Sequence, residues 1–145
     1  MDRFEQNIPE NVVLSDLIPQ KYPFVMVDKL LHYSDKNVVS GLTITNDNIF
    51  YNNQYFTESG LIEHMAQTVA LYTGYQYYLL QKPAPTGYIG SIKSVEILKL
   101  PKLKEQLITT ATILHEIMGV TLVHIVVTLN EETIAISEMK TVIAK

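Results

Sequence analysis

The segment at residues 58–80, ESGLIEHMAQTVALYTGYQYYLL, constrains the fold of this chain more than any other stretch. It is apolar or neutral on every side, and between Ser59 and Gln81 it carries a single carboxylate, Glu63. A helix that is uncharged all round is buried on most sides, so the rest of the chain has to wrap it. At helical spacing Ile62, Met65, Ala66, Val69 and Thr73 share one apolar stripe. Glu63, Gln67, Ala70 and Gly74 form the neighbouring stripe, whose small side chains admit a sheet or a ligand chain at close range. Thr57 or Ser59 can cap the start, and the prolines and glycine of KPAPTG end the helix near Leu80.

The segments around the helix read as strands. Residues 24–34 and 37–45 form a hairpin closed by the turn SDKN. NDNIFYNNQYFTES lacks periodicity and reads as a loop. After the helix come YIGSIKSVEIL, EQLITTATILHEI, GVTLVHIVVTLN and ETIAISEMKTVIA, rich in β-branched residues and alternating with period two. Turns are expected at Met118-Gly119 and at Asn130-Glu131-Glu132. Two strands, one long helix and four more strands make an α+β fold, an antiparallel sheet wrapped around one long central helix. The whole chain, 1–145, is expected to be one domain.

Composition narrows the function. Charged residues make up 18% of the chain, against a usual ~25%, which points to surface hidden in an oligomer. A net charge of −4 gives no reason to expect nucleic-acid binding. There is no cysteine, so disulfides are excluded and a cytoplasmic location is the simpler reading. MDRFEQNIPE has no apolar run and is not read as a signal peptide. No stretch reaches the ~20 apolar residues of a membrane span, so no membrane contact is expected. With no Gly-rich phosphate loop and no His-x-x-x-His or Cys pair for zinc, neither a metal nor a cofactor is expected.

A lone acid on such a helix is either a solvated residue favoured by the helix dipole or a general acid/base set in a water-poor cleft. Gln67, one turn on, can hold it in one orientation. His64 points about 100° away around the helix and faces another wall. His115 and His124 fit strand positions, and His32 lies near a turn. Tyr72, Tyr75, Tyr77 and Tyr78 either line a chain-binding tunnel or pack in the core. Lys93, Lys99, Lys102 and Lys104 form a basic run that either steers an acidic partner or protects a strand edge.

Three motifs carry a family resemblance. LIPQKYPFVMVDKL (17–30) resembles the opening of the 3-hydroxyacyl-acyl-carrier-protein dehydratases, which share the hotdog fold. GLIEHMAQTVALYTG resembles their helix motif, and IKSVEILKLPKLKEQL the segment before their last strands. The dehydratase-like proteins of aryl-polyene pigment pathways are the most similar among these relatives. The resemblance implies a hotdog domain that dimerises, or forms a larger homo-oligomer, and takes an acyl thioester of a carrier protein or of CoA. It makes Glu63 catalytic, with Gln67 beside it, and Tyr22, Phe24, Asn53, Gln54, Gly60 and Leu61 are candidate substrate-binding residues. It also implies a catalytic histidine in the loop before the helix, yet IFYNNQYFTES contains none. A second family histidine is replaced by Gln20.

Three activities therefore remain open. The first is dehydration of a 3-hydroxyacyl-carrier-protein in fatty-acid or polyene biosynthesis, with Glu63 as acid/base. In the second, a thioesterase, Glu63 is the base, Asn52, Asn53 or Gln54 holds the water, and the N–H groups of Gly60 and Leu61 steady the oxyanion. The third is a non-catalytic acyl-binding subunit whose hetero-partner carries the missing histidine.

Overall fold

The computed structural model describes residues 7–144. Residues 1–6, part of the segment read above as no signal peptide, and residue 145 lie outside the described residues. A 3-10 turn at Leu14–Asp16 precedes a hairpin of β1 (Lys29–Tyr33) and β2 (Asn37–Thr43). A two-stranded ribbon follows, β3 (Tyr51–Asn52) with β4 (Tyr55–Phe56), and then the helix α1 (Glu58–Leu79). The chain closes with β5 (Gly87–Ile97), β6 (Gln106–Ile117), β7 (Val120–Leu129) and β8 (Glu132–Ile143). All long strands join one antiparallel sheet in the order β1-β2-β6-β7-β8-β5. The sheet curls around α1, the hotdog architecture.

Strand alternation puts one face on the helix. In β7, Thr121, Val123, Ile125, Val127 and Leu129 are buried while their neighbours are half-buried. From the helix, Leu61, Met65, Val69, Leu71 and Tyr72 are each at most 2% exposed. Burial of such side chains contributes roughly 1.5–3 kcal/mol apiece, so this seam holds sheet and helix together. The expected turns are tight two-residue loops. Met118 and Gly119 take φ 54 and 81, and Asn130 and Glu131 take φ 51 and 68. Two successive positive-φ residues make the primed turn whose twist matches that of the flanking strands. Glu132, expected in the second turn, already opens β8.

Two expectations are corrected. Residues 24–28 do not belong to the first strand. Their backbone lies along α1, where helix side chains take the polar groups of Phe24 and Met26. Only at Asp28, whose N–H donates to the Gly41 carbonyl at 2.9 Å, does pairing with the sheet begin. The segment read as a loop also holds a ribbon, because Asn53 and Gln54 adopt φ 51 and 73 and form another primed turn.

At Gly74 the small-residue stripe of the helix seats backbone. A Cβ on Gly74 would stand 1.8 Å from the carbonyl oxygen of Leu17. Leu17 and Ile18, both buried, are pinned there and lead directly into Pro19 and Gln20. Gly74→Ala is expected to lower the unfolding free energy by at least about 1–3 kcal/mol, the usual range for overpacking, because backbone cannot swing aside. Urea unfolding checks this, and an unchanged midpoint would refute the close approach.

Candidate active site

Glu63 stands in the second turn of α1 and faces a cavity of about 500 Å³. Ala66, Val69, Ala70 and Thr73 continue the helical wall. Pro19 and Gln20 form another wall, and the start of β5 with Thr141 and Val142 of β8 completes the lining. This volume lies within the usual range for small-molecule sites. Most of the lining is apolar, and none of the described lining residues is a histidine.

The carboxylate is held from behind. Gln67 Nε2 donates to Glu63 Oε2 at 2.8 Å and to the Phe24 carbonyl at 2.9 Å. Gln67 Oε1 accepts the Met26 N–H at 2.6 Å. The amide therefore has one workable orientation, since a half-turn would set its oxygen against two acceptors. Gln67 is 1% exposed and ties the helix to residues 24–26 while it orients Glu63. Gln67→Met leaves the Met26 N–H and the Phe24 carbonyl without their side-chain partner. A loss of roughly 2–4 kcal/mol in stability is expected from two such groups, measured by denaturant unfolding.

His64 braces the same segment from the next helical face, as its position predicts. Its Nδ1 lies 2.6 Å from the Met26 carbonyl and its Nε2 2.6 Å from the Thr109 hydroxyl. A carbonyl only accepts, so Nδ1 carries the proton and the Thr109 hydroxyl donates to Nε2. Burial pushes His64 down to about 4, opposed by the Met26 hydrogen bond and the charge of Asp28. The Thr68 hydroxyl donates to the His64 carbonyl at 2.8 Å and meets Ser40 Oγ at 2.7 Å, extending the buried chain to β2. His64 is therefore neutral at pH 7 and supports the site without facing the cavity.

Other expected site residues are distributed differently. Tyr22 and Phe24 are 78% and 60% exposed and lie outside the cavity lining, and Phe24 contributes through its carbonyl alone. Asn53 and Gln54 are exposed at the tip of the β3–β4 turn and lie outside the cavity lining. The Leu61 N–H is spent on the Thr57 carbonyl at 3.0 Å, because Leu61 is the first helical residue with a carbonyl four positions back. It is not open to an oxyanion. Gly60 is buried against Phe50 and Phe56, and a Cβ there would lie 2.6 Å from the Phe56 ring. Its glycine is explained by packing.

The tyrosines follow their packing alternative, and two lysines of the basic run are paired. Tyr33 stacks on Tyr72 with centroids 5.5 Å apart and meets Tyr75 at a tilt at 4.8 Å, and Tyr75 stacks on Tyr78 at 5.5 Å. The Tyr72 hydroxyl donates to the Asp35 carbonyl, and burial pushes it up to about 12. In the basic run, Lys93 pairs with Glu138 and Lys99 with Glu132, each at 3.5 Å. Gln20 and the cavity wall formed by residues 85–89 were not among the expected site residues. Gln20 carried a signal, since it occupies the place of a family histidine. The other wall is assembled from distant parts of the chain and has no local pattern.

Among the described residues no cluster of three or more acidic or histidine side chains suits a metal ion, and no helix is long and apolar enough to cross a membrane. Comparison with solved structures supports the architecture. The dehydratase heterocomplex ApeI:P from Xenorhabdus doucetiae matches with a TM-score of 0.87 at 15% identity, covering 92% of both chains. The PaaI protein from the phenylacetic acid degradation operon of E. coli matches at 0.64 and 15% identity, over 79% of this chain and 81% of that one. A hypothetical thioesterase with coenzyme A from Streptococcus pneumoniae matches at 0.58 and 14% identity, over 80% and 84%. At these identities the likeness establishes the hotdog fold. No curated protein matches by sequence. The ApeP-like family, described as ApeP dehydratase, matches residues 12–141, and the chain belongs to that family as a dehydratase-like hotdog protein.

Proposed function

We propose that this chain, as one hotdog domain, binds the acyl chain of a 3-hydroxyacyl thioester beside Glu63 and takes part in its dehydration, in fatty-acid or polyene biosynthesis. The observation that carries the reading is the only carboxylate among the described lining residues of an apolar cavity, held in one orientation by a buried amide. Dehydration removes a proton from C2 and returns one to the departing C3 hydroxyl, giving an enoyl thioester and water. One carboxylate serves one of these transfers well, and the second calls for another acid/base group.

That second group comes from a partner subunit in this reading. β5 is the outer strand of the sheet and presents eleven residues along an edge no described strand covers. Tyr88, Ile92 and Val95 are large apolar residues exposed on it. Such an edge is a template for pairing with another chain. Gly87, Tyr88 and Ile89 of the same strand line the cavity, so a subunit docked there sits beside Glu63. The similar ApeI:P structure is a dehydratase heterocomplex, which favours a different chain as that partner. A homodimer along the same edge is the simpler alternative. An acyl-carrier protein is the proposed donor of the thioester, and CoA the alternative. The exposed Lys102 and Lys104 lie outside the ion pairs and suit an acidic carrier.

Thioester hydrolysis fits less well. The loop amides that would position water lie outside the cavity lining, and the Leu61 N–H is already bonded. The test takes the protein alone and in the complex it forms in its own cells. Each is given a 3-hydroxyacyl and a saturated acyl carrier thioester. Enoyl product from the complex, far above that of the isolated chain, is the expected result. Free thiol from the saturated thioester would establish hydrolysis instead. No product and no thioester binding in either preparation would end the acyl reading.

A further inference from the structure

Gln20 lies on the cavity wall opposite the small residues of α1, directly after the buried pair Leu17 and Ile18. Its segment is held in place from two directions. The Leu17 backbone is seated on Gly74, and Lys21 Nζ donates to the carbonyls of Ser15 and Ile18 at 2.6 and 2.9 Å. Gln20 Oε1 is closed off from solvent, and among the described residues it is the one buried side-chain nitrogen or oxygen without a hydrogen-bond partner. Buried polar atoms in native proteins are nearly always paired, and an orphan acceptor that borders a cavity is placed to take a hydrogen bond from a water or from a ligand's polar group.

The cavity supplies the rest of the argument. Ala66, Val69, Ala70, Ile89 and Val142 suit a hydrocarbon chain, while Glu63, Gln20, Tyr88 and three threonines supply its polar groups. A ligand that fits therefore carries an apolar chain with a donor for Gln20 Oε1. Within its acyl part, a saturated or enoyl thioester offers only the acceptor oxygen of its carbonyl. A 3-hydroxyl donates, and its lone pairs stay available to an acid. A hydroxyl is also the one group that satisfies either end of an amide.

We propose that Gln20 is a specificity-determining residue that accepts a hydrogen bond from the substrate's 3-hydroxyl, and so selects hydroxyacyl chains over saturated and enoyl ones. This deepens the acyl-thioester reading and rests on it. The selection follows from leaving the amide unpaired when the hydroxyl is missing, the device by which polar sites reject analogues that lack a donor.

The test measures binding, not turnover. The 3-hydroxyacyl and saturated acyl amides of pantetheine, of one chain length and inert to hydrolysis, are titrated calorimetrically into the protein in its native complex. Wild type is expected to favour the hydroxyacyl amide. Gln20→Leu is expected to weaken that ligand about 10-fold and leave the saturated one within about two-fold, the effect of one lost hydrogen bond. Gln20→Met, close to glutamine in shape, gives the same comparison should leucine impair folding. Equal weakening of both ligands would assign Gln20 to the pantetheine arm and overturn the proposal, as would no change in either. Wild type binding neither ligand would overturn the acyl reading itself.

Discussion

Glu63→Gln is expected to lower enoyl formation by the assembled enzyme by about 10²–10⁴-fold, the usual contribution of a positioned general acid/base. The substitution is chosen to change the proton and little else. Glutamine has nearly the same shape, and its amide oxygen can still accept the bond that Gln67 Nε2 now gives to Glu63 Oε2 at 2.8 Å. The link from Gln67 to Phe24 and Met26 does not involve Glu63 at all. Thermal stability and thioester binding should therefore stay near wild type while kcat collapses. Single-turnover measurement with a 3-hydroxyacyl carrier thioester reads the effect. Retention of more than about one third of the rate would show that the carboxylate does not exchange the proton, whatever else the cavity binds.

The second large effect is on stability in acid. His64 is fully buried, and burial holds its proton affinity at about 4, below the ordinary 6.5. The unfolded chain therefore takes up the extra proton first as pH falls. The stability that neutral His64 confers is complete above about pH 6.5 and is lost progressively down to about 4. Across that window the loss amounts to about 3 kcal/mol, or more than a hundredfold in the folding equilibrium. His64→Gln replaces the imidazole by an amide that does not titrate. The variant is expected to start less stable at neutral pH and to lose less as the solution is acidified. Urea unfolding of both proteins across the window separates this residue from carboxylates that titrate in the same range. Parallel pH profiles would show that His64 is not the group responsible.

These two residues are adjacent in sequence and differ wholly in setting. Helical geometry already separates them by about 100°, which is why His64 was expected on another wall. What the pattern of the chain could not express is that both reach the same backbone. Glu63 does so through Gln67, and His64 bonds the Met26 carbonyl directly. Residues 24–26 are thereby part of the site as backbone, while the Phe24 ring points to solvent. A motif match assigns importance to a residue without saying which of its atoms is used.

The sequence by itself determined the order and type of the long elements, the α+β architecture and the place of the acid on its helix. Those features rest on local periodicity: about 3.6 residues per turn for α1, two for the strands, and turn residues able to take positive φ. Only the tertiary structure decided which polar groups meet. The bonds that fix Gln67 span 41 and 43 positions, and that of His64 to Thr109 spans 45. Contacts so distant leave no periodic trace, because any chain segment of suitable shape can supply a carbonyl or an N–H. The same holds for the exposed turn at Asn53 and Gln54 and for the unpaired oxygen of Gln20. Their roles follow from what surrounds them in space, and residue type alone does not specify that.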